Sequence, residues 1–526
     1  MKRILLAATL TLSAIAAQAQ LANTPFFTQM GDLCNSGCNA NPQNITNCNG
    51  TLYFAANIDT LGTELCVSNG TDAGTRFVLN IAPGALGSGP KNFTVLNSKV
   101  IFMANDGVHG YEPWISDGTT TGTKMLKDIY PGTTGQVTDG FTVMNGKAYF
   151  SAGDNVNGTE LWVSDGTTAG TKMLLDIDPT ASSYPSNKMA VYSGKLYFSA
   201  TTNSDRELWV SDGTVAGTQL LANVNPNAAS GPDNFVQYNG KLYFSAFADT
   251  SGGEICVTDG TPAGTTVVTN IASAGDSLPR ALTVSNNLLF FAAGTQLDSQ
   301  TVWVTNGTKA GTTKLATLST PYASRKEMML DNDGLLYFTG AKPGLSTRDV
   351  LWQTDGTVAN TKVVDNTLLS VGNMTSLKNE VYFICNNVLY HTPNTINAQA
   401  VILPANFAGI IEDKPMATMG DALYFAANYQ LFYGVELWKM ELIPTSVHNV
   451  GSLTNTIIYP NPASNTFSIK NNNSNNTTVR LFSLTGQLLL QTQQTENINI
   501  ASLPAGNYMV QVIADGQATM QKLVKQ

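Results

Sequence analysis

Apolar residues along this chain come in runs of four to eight, each bounded by Gly, Asn, Asp or Pro. "KLYFSA", "ELWVSD" and "TKMLLDI" are typical, and their mixture of aliphatic, aromatic and β-branched residues is that of strands. The runs keep step with one another. A Leu-Tyr-Phe type triplet ends at Phe54, Phe102, Phe150, Phe198, Phe244, Phe290, Phe338, Phe383 and Phe425. A Trp or its replacement follows at Cys66, Trp114, Trp162, Trp209, Cys256, Trp303, Trp352, Tyr390 and Trp438. Between Cys66 and Trp303 the spacing averages about 47 residues, the scale of a repeat array. The triplet usually follows Asn-Gly, Ser-Gly or Asp-Gly, dipeptides that supply the positive φ of a two-residue hairpin loop. Each unit therefore reads as four short strands. Outside the N-terminal apolar run no window sustains a helical apolar period, so helix should be nearly absent.

Four antiparallel strands per repeat of this length predict an all-β fold, a β-propeller of four-stranded blades. Nine marker pairs give nine blades, or eight if the short unit from Val381 to Leu403 forms none. The strands are apolar on both faces, as blades sandwiched between neighbours require. An open row would leave exposed edges, which favours closure into a ring. The last unit, "ALYFAANYQLFYGVELWKMEL", runs into Pro444 without a fourth strand, while "TPFFTQMGDL" from Thr24 to Leu33 has the pattern of the missing one. The N-terminal strand is predicted to complete the last blade.

The phrase repeated most faithfully is Glu-Leu-Trp followed by Asp-Gly-Thr, as in "ELWVSDGTTAGTKMLLDI" from Glu160 to Ile177. Asp117, Asp165, Asp212, Asp259 and Asp355 recur before Gly-Thr, with Asn69 and Asn306 in the same slot, and a second Gly-Thr closes most of these loops. Asp and Asn bond back to a turn's own backbone, so the loops read as hairpin masonry. Calcium is the alternative, but a calcium loop gathers several carboxylates and each of these offers one. Glu64, Glu112, Glu160, Glu207, Glu254 and Glu436 open the Trp strand. Spread around a ring, they lack the paired placement that acid/base work needs, and are expected to bond neighbouring loop backbone. The Trp side chains should pack between blades, their N–H groups finding backbone acceptors. Nucleophile, metal and nucleotide patterns are missing, so no catalytic, cofactor or metal residues are assigned. Asp205-Arg206 and His109 depart from the repeat and could mark a site, although a solvated loop explains each.

Charge narrows the partners. Only 12% of the 526 residues are charged, with a net charge of −9, so no basic stripe exists to neutralise phosphates and nucleic acid is not an expected partner. Lys2 and Arg3 precede an apolar run from Ile4 to Ala17 and then Ala17-Gln18-Ala19, the form of a signal peptide cleaved between Ala19 and Gln20. No later stretch has the ~20 apolar residues of a spanning helix. Cys34, Cys38 and Cys48 crowd one segment and could hold one local bridge of unassigned pairing; Cys66, Cys256 and Cys385 read as buried filler.

The Glu-Leu-Trp and Asp-Gly-Thr phrase resembles the ELWxxDGT repeat of exported bacterial proteins, which implies a propeller-like array and carries no assigned catalytic residues. Past Pro444 the composition turns polar, and a separate domain begins. Tyr459-Pro460-Asn461-Pro462, Gly486, Leu503-Pro504-Ala505-Gly506-Asn507-Tyr508 and Lys522-Leu523-Val524-Lys525 resemble the type A sorting domain of the Bacteroidetes type IX secretion system. Pro460, Asn461, Pro462, Gly506, Lys522 and Lys525 carry that motif. The resemblance implies recognition by the type IX translocon and passage through the periplasm to the medium or outer cell surface. Physically the tail reads as a small immunoglobulin-like β-sandwich. The expected organisation is a signal peptide at 1–19, a propeller at 20–443, a linker at 444–454 and a sorting domain at 455–526. The expected function is non-catalytic binding or adhesion to an extracellular glycan or matrix protein, the alternative being a polysaccharide hydrolase or lyase acting at the propeller mouth.

Overall fold

The computed structural model describes residues 23–526 apart from 32, 34–38, 85, 134, 136–139, 249–251, 269–276, 278, 295–298, 322–328, 345–347, 393–398, 402–406, 412–413, 430–433, 445–455, 471–476, 484–487 and 515–516. The signal peptide, Cys34, Cys38 and Gly486 lie outside the described residues. The fold is all-β; among the described residues the one helical element is a single 3₁₀ turn, Asp59–Leu61.

Nine antiparallel sheets follow one another along the chain. In the third, Thr142–Met144, Lys147–Asp154, Gly158–Ser164 and Lys172–Leu175 pair in sequence order, each strand with the next. The second and third strands are the most buried. In the second, Ala148, Tyr149, Phe150 and Ala152 are each 2% exposed or less, because one face meets the preceding blade and the other the next. The short unit is a complete blade as well: Val371–Leu377, Glu380–Cys385, Val388–Thr392 and Gln399–Ala400. Its economy comes from joining the second and third strands by Asn386-Asn387, both at positive φ, in a two-residue hairpin turn. Among the described residues the blades therefore number nine.

The first strands lie side by side in an unbroken cycle. Gln43–Cys48 neighbours Lys91–Leu96, and the succession continues through the later blades to Ala417–Met419, which returns to Gln43–Cys48. First strands are thus innermost and the ring is closed. At the seam the amide of Asn47 donates to the Thr418 carbonyl at 3.1 Å. Ala422, Tyr424 and Leu437 from the last blade share one apolar cluster with Ile45, Leu52 and Phe54 from the first. The ninth sheet runs Asn23–Gln29, Val435–Pro444, Ala422–Tyr429, Phe407–Ile410, with Ala417–Met419 also on Ala422–Tyr429. An N-terminal strand thus supplies its fourth member. Met30 N donates to Leu437 O at 2.8 Å and Asn41 N to Val435 O at 2.8 Å.

The chain divides into two compact units, the larger formed by Gln29–Val401 and Asn406–Leu437. The smaller includes the C-terminal domain, two sheets around one apolar core. Ile457–Tyr459, Thr466–Lys470 and Ile498–Asn499 make one; Leu488–Thr492, Thr477–Ser483, Gly506–Ala514 and Gln517–Lys525 make the other. Phe467, Val479, Leu481, Val510, Val512 and Leu523 are fully buried between them.

Candidate functional site

In an antiparallel meander successive turns fall at opposite ends of the sheet, so each blade has two kinds of end. One carries the first–second and third–fourth turns, where the Asp-Gly-Thr loops lie. The other carries the second–third turn and the connection to the next blade.

Each Asp-Gly-Thr loop is a closed hydrogen-bond circuit. In the third blade Asp165 Oδ1 accepts from Thr167 N at 2.9 Å and Thr167 Oγ1 at 2.7 Å. Thr167 Oγ1 accepts from Gly170 N, Thr171 Oγ1 donates to Thr167 O, and Ser164 Oγ meets Thr171 Oγ1 at 2.7 Å. The circuit recurs around Asn69, Asp117, Asp212, Asp259, Asn306 and Asp355. That Asn serves as well as Asp shows that the slot needs an acceptor oxygen and not a charge. The Thr167 hydroxyl and amide hold the Asp165 carboxyl below its ordinary range. A methyl group on Gly170 would overlap that carboxylate, which is why the second Gly recurs. The seventh loop departs: Asn360 stands in the Gly position, and its Nδ2 donates to Asp355 Oδ2 at 2.6 Å.

The glutamates sit below the opposite face, and Glu64, Glu112, Glu160 and Glu207 bond the backbone of the connection that follows. Glu64 accepts from Ile81 N, Ala82 N and Ser88 N, each at 3.1 Å, and from Ser88 Oγ at 2.5 Å. Glu160 takes Ile177 N, Ser183 N and Ser183 Oγ, and Glu207 takes Val224 N, Ser230 N and Ser230 Oγ. Each staples its own third strand to the connection leaving the blade. Glu112 holds Ile129 N and Tyr130 N, both at 3.0 Å. Burial pushes the Glu112 carboxyl up to about 7.

The Trp expectation is met in part. Trp352 Nε1 donates to Gly340 O at 3.0 Å, while the buried indole N–H groups of Trp114, Trp162 and Trp209 find no acceptor among the described residues. Gly340 stands where the sister strands carry Ala104, Ala152 and Ala200.

The two departures from the repeat are local. His109 Nδ1 lies 2.6 Å from Asp106 Oδ2, and Asp106 Oδ1 also takes the Val108 and His109 amides, clamping the second–third turn of the second blade. The hydrogen bond to Asp106 holds the His109 imidazole above its usual range. Arg206 Nη1 donates to Tyr184 O at 2.7 Å. Tyr184 is the residue that spacing gave no reason to single out. It has φ 44°, a region bulky side chains rarely enter, and is 57% exposed. The signal was present: after Ser88, Ser183 and Ser230 the chain reads Gly89, Tyr184 and Gly231.

Among the described residues no group of three or more His, Cys, Asp or Glu could hold a metal ion. Cys48, Cys66, Cys256 and Cys385 are buried thiols. No helix of the described residues is long and apolar enough to cross a membrane.

In the C-terminal domain the motif residues converge from three stretches of sequence. Asn461, between Pro460 and Pro462, donates from Nδ2 to Lys522 O at 2.6 Å and accepts from Val524 N at 2.9 Å through Oδ1. Ala463 continues the contact, N to Val524 O and O from Gln526 N. Gly506 faces Lys525 across the last strand pair, and Lys525 Nζ donates to the carbonyls of Leu503 and Ala501. Tyr508 hydroxyl donates to Pro504 O at 2.6 Å.

Residues 457–526 match the family model of the secretion system C-terminal sorting domain. No curated protein matches the chain. Among solved structures it is similar to the extracellular domain of a one component system, BT4673, of B. thetaiotaomicron, at 12% identity over 92% of this chain and 81% of that one, TM-score 0.30. It is similar also to a puromycin hydrolase, at 11% identity, 67% and 58% coverage and TM-score 0.36. A prolyl endopeptidase matches at 12% identity, 80% and 57% coverage and TM-score 0.39. The chain is an exported all-β protein: a propeller followed by a sorting domain that directs it through the type IX system to the medium or the cell surface.

Proposed function

We propose that the propeller is a non-catalytic binding and adhesion module of the ELWxxDGT repeat type, presenting irregular loops to an extracellular glycan or matrix protein. One observation carries this reading. Most of the recurrent polar groups, the loop aspartates and the strand glutamates Glu64, Glu112, Glu160 and Glu207, are engaged in hydrogen bonds within the frame, as in Asp165 with Thr167 and Glu160 with Ser183. What varies from blade to blade is the face of second–third turns and connections, where His109, Tyr184 and Arg206 stand. A rigid scaffold with variable loops is the arrangement of a recognition surface. Glycan and matrix-protein arrays probed with the mature chain test it; binding to at least one class is expected. Silence across both panels overturns the reading, and release of reducing ends or unsaturated sugars in polysaccharide zymograms replaces it with an enzyme.

A further inference from the structure

Tyr184 occupies a backbone position that its sister blades give to glycine. Gly89 and Gly231 have φ 53°, and each donates its amide to the residue before the strand glutamate, Thr63 or Arg206, at 3.0 Å. Tyr184 keeps that geometry, N to Thr159 O at 3.0 Å, with a bulky side chain in place of hydrogen. Strain of this kind persists only where the surroundings over-determine it, and here they do. The preceding Ser183 is held by Glu160 through both N and Oγ, and its carbonyl accepts from Thr201 N at 2.8 Å. The Tyr184 carbonyl is taken by Arg206. Ser182 Oγ accepts from Thr159 N, tying in the neighbouring turn whose tip, Val156, is 86% exposed. Asp178 braces the other side, accepting from Thr180 through Oδ1 and from Asn203 N through Oδ2.

The residue gains little burial for this strain, being 57% exposed. An aromatic face kept in solvent on a backbone fixed at N, C=O and the preceding residue is pre-ordered for a flat apolar partner, so binding loses little conformational entropy. Resting on the binding reading above, we infer that Tyr184 is a stacking platform for a pyranose ring of a neutral polysaccharide, with Val156 at its margin. Charge selects neutral over acidic sugars. Arg206 is already engaged, its Nη1 holding the Tyr184 carbonyl and its charge favoured by Asp233, while the chain as a whole carries −9.

Affinity electrophoresis of the full mature chain through gels of laminarin, xyloglucan, mannan or alginate tests the assignment, alongside Tyr184→Gly and Tyr184→Asn. Glycine is the sister residue and Asn tolerates this φ, so both variants keep the backbone and remove the ring. Retardation of the wild type by a neutral polysaccharide is expected, weakened about ten-fold or more in both variants, with melting temperature unchanged or higher. Unchanged retardation in the variants overturns the Tyr184 site and leaves the binding reading standing. A wild type retarded by alginate alone also overturns it. A wild type retarded by none of the four, yet positive on the wider arrays, overturns the site only; silence on both overturns site and reading together. If Tyr184→Gly melts lower, the Asn variant decides: loss of binding without loss of stability supports the platform, and loss of both assigns Tyr184 to packing.

Discussion

Burial makes Glu112 a group that titrates in the neutral range. Glu64, Glu160 and Glu207 each receive a serine Oγ in addition to backbone amides, whereas Glu112 holds Ile129 N and Tyr130 N, and burial, its largest influence, raises its carboxyl from 4.5 to about 7. A raised folded-state value means that the folded chain binds the proton more tightly than the unfolded one. Its contribution to stability is therefore fully present below about 4.5 and lost as the pH rises to about 7, an effect on the order of 3 kcal/mol. Glu112→Gln cannot titrate. Urea unfolding at pH 4.5 and pH 8 should show the variant losing about that much less than wild type between the two values; equal pH slopes would show that Glu112 titrates normally. Nothing at the residue level of the sequence announced this, because the Glu recurs faithfully from blade to blade. Tyr184 was hidden as well: its oddity is a backbone angle, visible only when Ser88-Gly89 and Ser230-Gly231 are laid beside it.

At the scale of the element, the Asp-Gly-Thr loop is a hydrogen-bonded part that can be altered piecewise. Asp165→Ala removes the acceptor for the Thr167 amide and hydroxyl and should cost about 1 kcal/mol in thermal or urea unfolding, with no sensitivity to chelators. A chelator-dependent wild-type melting temperature would turn these loops into metal sites. Gly170 offers a sharper test. A methyl there strikes the Asp165 carboxylate, so Gly170→Ala should destabilise by roughly 1–3 kcal/mol. Gly170→Asn should be milder despite its larger side chain, because Asn360 in the seventh loop shows how an amide at this position bonds the carboxylate. Should Asn prove worse than Ala, that loop owes its form to something other than this bond. The masonry was legible in the sequence because Asx and hydroxyl bonding depends on neighbours a few residues away. The same holds for the four-strand unit and its Asn-Gly type hairpins, whereas the short unit, left open between eight and nine blades, is settled by the hairpin at Asn386-Asn387. Tryptophan N–H partners were not legible, since they depend on how adjacent strands settle: Trp352 reaches Gly340, and Trp114, Trp162 and Trp209 reach no acceptor among the described residues.

The whole molecule poses a closure problem that periodicity could state and only long-range pairing could solve. The repeat pattern leaves the ninth blade one strand short, and the pairing of Asn23–Gln29 with Val435–Pro444 fills that place. Convergence of the C-terminal motif is similarly non-local: Asn461 and Lys522 are 61 residues apart in sequence. At the seam, Met30 is 2% exposed within the cluster that joins first and last blades, Gly31 N donates to Asp72 Oδ1 at 2.9 Å, and Ala40 N and Asn41 N reach Glu436 and Val435. Removing residues 22–33 from the mature chain strips a whole strand and the Met30 plug while leaving the second and third strands of the ninth blade and every other blade intact. The Val435–Pro444 backbone then becomes an unpaired edge, and apolar area worth about 25 cal/mol per Å² meets water. The expected outcome is a lower melting temperature with edge-driven self-association at high concentration, read by scanning calorimetry and sedimentation. Adding back a synthetic 22–33 peptide in excess should restore part of the stability, since a strand binding only the folded ring stabilises it by mass action. A truncated chain that melts and sediments as the wild type would show that the N-terminal strand decorates the ring and does not close it.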